Sequence, residues 1–488
     1  MSLPPSDGVS TAILPNLEHP FEQRQEASGP PQAPARFSLA GTIVSTVLVA
    51  IFVGYVSYSP VTPQGALERP EEDLERLVSR EMDLRQALEL APAWERAVYR
   101  FFAGDEDSLV QAIRWYDGLT IQSPETQLYR VILLAEAGQA DRVSTAIIPW
   151  QYQGEVMAEM LEWIRAAYLK GHTDPTLSEG YVAEIGDDLS PGWFSDILKA
   201  RIADSVGDRT TAIEAQGAIA ARGAALLWKQ RVLTIAVFMV LIGGCLVLVL
   251  MLLRPSPAAN GTALLPPPWD LSDGYAIFIR GVLGFLLISG MLFLLPDPNP
   301  FGGMVSLLGG IPILWLTIRY LASKGLSVGT VFGLRPLPNF AFLVKVTVVL
   351  VALSLLGELA ITFIVSSFHF KTDWTDGLLE EVLWGSWWIV LGTAVDSTLW
   401  APVVEEVAFR GILYGTLRTK LGVAPAAMLS GAMFAVVHGY GAIGFASVLW
   451  SGIIWAVAYE KTRSLWPAIL AHGINNLLVT SEFAWLYR

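Results

Sequence analysis

Six polar residues near the C-terminal end of this chain sit inside otherwise apolar segments: Glu405, Glu406, Arg410, His438, His472 and Asn476. Ionisable groups are costly to keep in apolar segments of membrane length, so each marks a candidate functional position. Taken as helix, residues 401–410 place Glu406 and Arg410 at i and i+4 on one face, where they can pair. Glu405 then points roughly 100° away. One carboxylate is neutralised by its own helix, and the other is left free for chemistry. Val403, Val404, Val407, Ala408, Phe409, Ile412 and Leu413 surround these charges, which argues against an ordinary solvated helix end.

His438 ends the apolar run 433–438, and His472 and Asn476 are again i and i+4 in the run 469–476. Alone, His438 reads as a structural hydrogen-bonder. The pair His472 and Asn476 suits either inter-helical hydrogen bonding or a site. Together the positions describe a reaction. A carboxylate beside an imidazole can remove a proton from water. An imidazole and a carboxamide aimed at one point can donate to a developing oxyanion. These are the parts for hydrolysing an acyl bond with activated water. No Ser or Cys has an evident base beside it, and the single cysteine, Cys245, lies in a different apolar segment.

The motifs Glu405-Glu406-xxx-Arg410, Phe434-xxx-His438 and His472-xxx-Asn476 follow one another in that order. Phe409-Arg410-Gly411 lies in the first, and Ser464-Leu465-Trp466-Pro467-Ala468 precedes the last. This pattern resembles the CPBP family of intramembrane glutamic endopeptidases, which includes the CAAX prenyl proteases and bacteriocin-processing and immunity proteins. The resemblance covers roughly the C-terminal fifth of the chain. It implies that Glu405 activates water with help from His438, and that His472 and Asn476 stabilise the tetrahedral oxyanion. Glu406 and Arg410 would shape the site, and no cofactor is implied. A His/His/Glu set is also chemically able to hold zinc, so a metal-dependent hydrolase stands as an alternative to the favoured metal-free one.

The chain has 488 residues, of which 53% are hydrophobic and 16% charged, with 17 Trp and a net charge of −13. A mean hydropathy of +0.48, with several apolar runs near membrane length, means a polytopic membrane protein. The acidity is concentrated: residues 60–231 hold about 28 acidic against about 17 basic side chains. One cysteine excludes an intrachain disulfide framework. No basic stripe is present, which excludes a nucleic-acid footprint.

The expected fold is all-α: a membrane helix bundle of about nine spans with a soluble helical domain inserted near its start. Residues 1–36 are polar, rich in Pro and Ser, and expected to be disordered. Residues 37–58 form an uncleaved anchor, because a signal peptide would be shorter and would follow a basic start. Residues 60–230 show helical spacing in Leu74, Leu77, Val78 and Met82, and in Leu109, Ala112, Ile113 and Tyr116. Gly104, Gly138, Gly171 and Gly207 recur near the tetratricopeptide period. Ala112, Ala146 and Ala215 keep an offset that Glu179 breaks. The domain therefore resembles a divergent tetratricopeptide-like array, with unrelated helical hairpins as the alternative. A span at 232–253, a linker at 254–270 and a protease domain at 271–488 follow. The remaining spans are expected at 275–295, 302–321, 341–366, 387–418, 424–439, 443–460 and 465–482.

Basic residues near span ends set topology. Arg319, Lys324, Arg335 and Lys345 flank one loop, Arg418 and Lys420 mark a second, and Lys461 and Arg463 a third. Two spans separate each loop from the next, so all three lie on the cytoplasmic side. The N-terminus is then cytoplasmic and 60–230 lies outside, across a cell (inner or plasma) membrane. The parity requires 387–418 to cross once. It is too long for one straight span, which predicts a Trp-rich interfacial start and a kink near Pro402. Glu405 lies about 20 Å from the Arg418 end, His438 about 21 Å up the next helix, and His472 and Asn476 about 12 to 18 Å up the last. Three helices thus carry polar residues to similar depth.

The leading reading is an intramembrane endopeptidase acting on a membrane-associated or prenylated peptide or protein. The rival from another class is an inactive scaffold, or an immunity-type binding protein, that captures a protein partner through the helical domain. A transporter is disfavoured because no inverted repeat of spans is visible.

Overall fold

The computed structural model describes residues 37–58, 67–103, 107–119, 122–169, 175–254, 261–295, 305–368, 373–375 and 377–488. The expectations for 1–36, and the glycines at 104 and 171, lie outside the described residues. Among the described residues the protein is helical, with no strand.

Helix α1 (Leu39–Tyr58) precedes the soluble domain. That domain comprises α2 (Pro70–Leu90), α3 (Ala93–Ala103), α4 (Ser108–Asp117), α5 (Pro124–Glu136), α6 (Ala140–Ile147), α7 (Glu155–Tyr168), α8 (Pro175–Asp188) and α9 (Trp193–Val206). The faces expected from spacing form its core: Leu74, Val78, Met82, Leu109, Ala112, Ile113 and Tyr116 are buried, with Leu77 packed against them. Gly138 and Gly207 end helices with φ of +69° and +80°, a conformation that glycine adopts without the Cβ penalty. Helix α2 packs against α9 and against α10 (Arg209–Leu253), the last helix of the domain. This closes first onto last, whereas a stacked repeat array makes contacts only between neighbours.

The sequence reading places a boundary at residues 230–232. Helix α10 runs unbroken through that point for 45 residues. Residues 224–236 contain neither Gly nor Pro, so nothing interrupts the helix as it passes from the soluble domain into the apolar segment. Only 11% of its apolar window is buried. Ile235, Met239 and Ile242 therefore face outward, as lipid contact requires.

The membrane part continues with α11 (Leu271–Phe293), α12 (Val305–Ser323) and α13 (Phe340–Ser367). The short α14 (Glu380–Trp384) leads into α15 (Trp387–Arg418), α16 (Val423–Val436), α17 (Ala442–Thr462) and α18 (Trp466–Tyr487). Among the described residues, six helices are long and apolar enough to span: α10, α11, α12, α13, α15 and α17. The stretch Leu39–Tyr55 of α1, and α16, are apolar but shorter. Helix α18 is long enough, yet its polar residues, including His472, Asn475, Asn476 and Glu482, dilute its hydropathy. The chain is an integral membrane protein.

The expected kink near Pro402 takes a different form. Helix α15 contains two π-helical stretches, Asp396–Trp400 and Glu406–Tyr414, on either side of the α-helical turn Ala401–Glu405. Such widened turns recur at functional sites.

Residues 261–270 are pinned rather than loose. Ala263 donates to the Arg463 carbonyl and Leu264 to that of Val331. Arg463 Nη1 donates to the Leu265 carbonyl at 2.6 Å. The loops holding Arg335, Arg418 and Arg463 thus gather at one end of the bundle. The opposite ends of α13 and α18, and the short α14 ahead of α15, meet the soluble domain.

Candidate active site

Helix α15 supplies both glutamates. Glu405 ends the α-helical turn and Glu406 opens the second π stretch. Glu406 and Arg410 are wholly buried, and Arg410 Nη1 donates to Glu406 Oε1 at 2.8 Å. The guanidinium lies over the rings of Phe434 and Trp455, 4.2 and 5.1 Å from their centroids. Arg410 Nε and Nη2 have no hydrogen-bond partner among the described residues. The two aromatic faces supply part of the compensation that a buried cation needs. Gly452 makes room for the guanidinium, since a Cβ there would lie 3.4 Å from Arg410 Nη2 and 2.9 Å from the Gly431 Cα.

His472 ties α18 to this pair. Its Nδ1 lies 3.0 Å from Glu406 Oε1. A carboxylate only accepts, so Nδ1 carries the proton. Its Nε2 lies 3.6 Å from Glu405 Oε2. The imidazole therefore sits between two carboxylates that are adjacent in sequence. Trp455 stacks on it at 4.5 Å with an interplanar angle of 26°, and Phe434 meets it edge-on at 5.7 Å.

His438 reaches the same cluster from α16. Its ring contacts Phe434 at 4.7 Å, and its Nδ1 lies 2.7 Å from the Phe434 carbonyl. A carbonyl only accepts, so Nδ1–H donates and Nε2 keeps its lone pair. Phe434 thus separates the two imidazoles. His438 and Glu405 share no direct hydrogen bond in this arrangement.

Asn476 is held by an unusual feature of α15. The Ala401 N–H bonds the Asp396 carbonyl, five residues back, instead of the Ser397 carbonyl four back. Pro402 has no N–H and cannot serve Ser397 either. The Ser397 carbonyl is thereby released, and Asn476 Nδ2 donates to it at 2.9 Å. One amide hydrogen is engaged and a second remains. Gly473 allows the close approach, because a Cβ there would lie 2.4 Å from the Thr398 carbonyl oxygen.

The site thus has two layers. Glu406, Arg410 and His472 are buried, while Glu405, with 30% of its side chain exposed, is accessible; His438 and Asn476 are half-buried. Sequence reasoning missed Trp455 and Ser397. Trp455 is one of 17 tryptophans and belongs to no motif. Ser397 acts through its carbonyl, which any residue would supply. Among the described residues, no group of three or more His, Cys, Asp or Glu side chains is placed to hold a metal ion.

A family model described as Type II CAAX prenyl endopeptidase Rce1-like matches residues 383–478. That segment runs from α14 to the middle of α18 and contains every residue of the cluster. The chain is also 31% identical over 92 residues to a Bacillus subtilis (strain 168) protein described as "Putative membrane peptidase YdiL". The match covers 17% of this chain and 34% of that protein. No solved structure matches the chain.

Proposed function

We propose, from the match of residues 383–478 to the Rce1-like family model and the likeness to a described membrane peptidase, that this protein is an intramembrane endopeptidase of the CPBP type. Water bound at Glu405 gives up a proton to the carboxylate and attacks the carbonyl carbon of a peptide bond presented within or near the membrane. The carbonyl π electrons move to oxygen, and the resulting oxyanion receives hydrogen bonds from the second Asn476 N–H and from His472 Nε2, which donates when both ring nitrogens carry protons. His438, whose Nε2 is free to accept, assists in orienting the water. Collapse of the intermediate expels the amine, which takes back the proton. The buried Glu406–Arg410 pair holds His472 and takes no part in proton transfer.

The observation that carries this reading is the 3.6 Å approach of His472 Nε2 to Glu405 Oε2. It places an imidazole nitrogen beside an accessible carboxylate, inside an apolar bundle that limits bulk water. The reaction so described needs no metal. A membrane-associated or prenylated peptide or protein suits a site at this depth, with the chain in a cell membrane, its N-terminus cytoplasmic and the helical domain outside. The meeting of that domain with α14 and with the ends of α13 and α18 opposite the basic loops supports this topology.

The test compares membrane-protein termini in cells carrying wild type or Glu405→Gln at equal expression. New termini that require Glu405 identify both activity and substrates. Identical terminus sets would favour the scaffold reading, in which the helical domain recruits a protein partner.

A further inference from the structure

Both helices that carry the reacting groups are gripped at one end by the helical domain. The last turn of a helix presents carbonyls without intrahelical donors, and cations are favoured there. In α18 the Trp485 carbonyl accepts from Lys229 Nζ at 2.6 Å, and the Leu486 carbonyl accepts from Arg80 Nη1. Lys229 belongs to α10 and Arg80 to α2. Trp228 packs against the Trp485 ring at 6.0 Å.

The start of α15 is held through α14 by the same helix α2. Trp384 Nε1 donates to Asp73 Oδ1 at 2.6 Å. Glu380 Oε1 accepts from the backbone N–H groups of Glu68 and Arg69 at 3.0 and 3.2 Å. The Arg76 guanidinium lies 4.7 Å from the Trp384 ring centroid. Arg488 ties the two grips together, lying 4.4 Å over the Trp387 ring and donating to the Val382 carbonyl at 2.8 Å.

At its other end α18 is fixed by the 331–335 loop. Leu465 N–H donates to the Phe332 carbonyl at 3.1 Å, and Trp466 Nε1 to that of Leu334 at 3.1 Å. His472 and Asn476 lie between these two supports. Asn476 is nine residues, about 14 Å, from Trp485. A rod held at both ends keeps its middle in place, and release of one end lets it swing.

We infer that Arg80, Lys229 and Asp73 of the helical domain are positioning residues for the membrane-embedded site: they hold the ends of α15 and α18 at the separation that keeps His472 and Asn476 against Glu405 and Ser397. This rests on the endopeptidase reading. The soluble domain is then part of the catalytic device, and whatever binds or displaces it changes the reaction rate. Displacements near 1 Å in a catalytic constellation cost about 10²-fold in rate, so a loosened grip registers in kcat before it affects binding.

The test uses the full chain reconstituted in lipid nanodiscs, as wild type, Arg80→Ala, Lys229→Ala and the conservative Arg80→Lys. Hydrogen exchange is read at α18 and α17, and cleavage is read on a bilayer-spanning peptide bearing a Glu405-dependent terminus. Both alanine variants should raise exchange in the last three turns of α18 about tenfold and leave α17 unchanged. They should lower kcat about tenfold or more with little change in KM, and Arg80→Lys should recover part of it. Unchanged exchange overturns the inference, and so does raised exchange with an unaltered kcat. Failure of the wild type to cleave in a Glu405-dependent way contradicts the endopeptidase reading instead, and exchange alone then decides whether the grip exists.

Discussion

His472 Nδ1 lies 3.0 Å from Glu406 Oε1, on the same carboxylate oxygen that accepts from Arg410. One buried oxygen thus anchors a cation from its own helix and an imidazole from another. This contact aims the second imidazole nitrogen at Glu405, so the orientation of the reactive pair depends on a residue that does no chemistry.

Replacing Glu406 with Ala should therefore act on folding first. It leaves the Arg410 guanidinium buried and unpaired, which typically costs about 3–5 kcal/mol. Thermal unfolding in detergent should show a lower transition and reduced yield. Wild-type stability in Glu406→Ala would mean that the buried pair does not organise the site.

Asn476→Ala removes the donor to the released Ser397 carbonyl and the second N–H together. The expected loss is about 10²–10³-fold in kcat with KM nearly unchanged. Steady-state cleavage kinetics decide this, and a rise in KM alone would place Asn476 in substrate binding instead.

Gly473→Ala tests the close approach of α18 to α15. The added Cβ would lie 2.4 Å from the Thr398 carbonyl oxygen, so the helices must separate. Loss of about 10²-fold in rate is expected, with the membrane helices still formed by circular dichroism. Full activity would show that the crossing tolerates displacement.

Burial in the contact between α2 and α14 pushes the Asp73 carboxyl up to about 7, with Glu380 and Glu72 adding to the rise and the Trp384 hydrogen bond opposing it. Burial likewise pushes Glu75 up to about 7. A raised carboxyl binds more protons in the folded state, so stability falls as pH rises through the interval between the ordinary value and about 7. The penalty is fully present above that interval. Melting temperature should decline from pH ~5 to ~8, and Asp73→Asn, which still accepts from Trp384, should flatten part of the slope. An identical slope in Asp73→Asn would remove Asp73 as the source.

Much of the site was legible before any coordinates. The Glu406–Arg410 pairing follows from helical spacing, and the convergence of three helices follows from equal depths of their polar residues. Contacts between helices were not legible, because spacing within a segment does not say which neighbour it meets. The sandwich of His472 between two carboxylates and the stacking of Trp455 are of this kind. The π register of α15 was hidden for another reason: Pro402 announces a disturbance, but whether it becomes a kink or a widened turn depends on what donates to the released carbonyl. The continuity of α10 was obscured because hydropathy changes near residue 230 while helix propensity does not.

The central claim is that Glu405 activates the water. The most direct measurement incubates wild type and Glu405→Gln, reconstituted in liposomes, with a bilayer-spanning peptide in H2¹⁸O containing a chelator. The account predicts that wild type cleaves and places ¹⁸O in the new carboxyl terminus, while Glu405→Gln is folded and inactive. Cleavage by Glu405→Gln at the wild-type rate, or loss of wild-type cleavage on chelation, would contradict it.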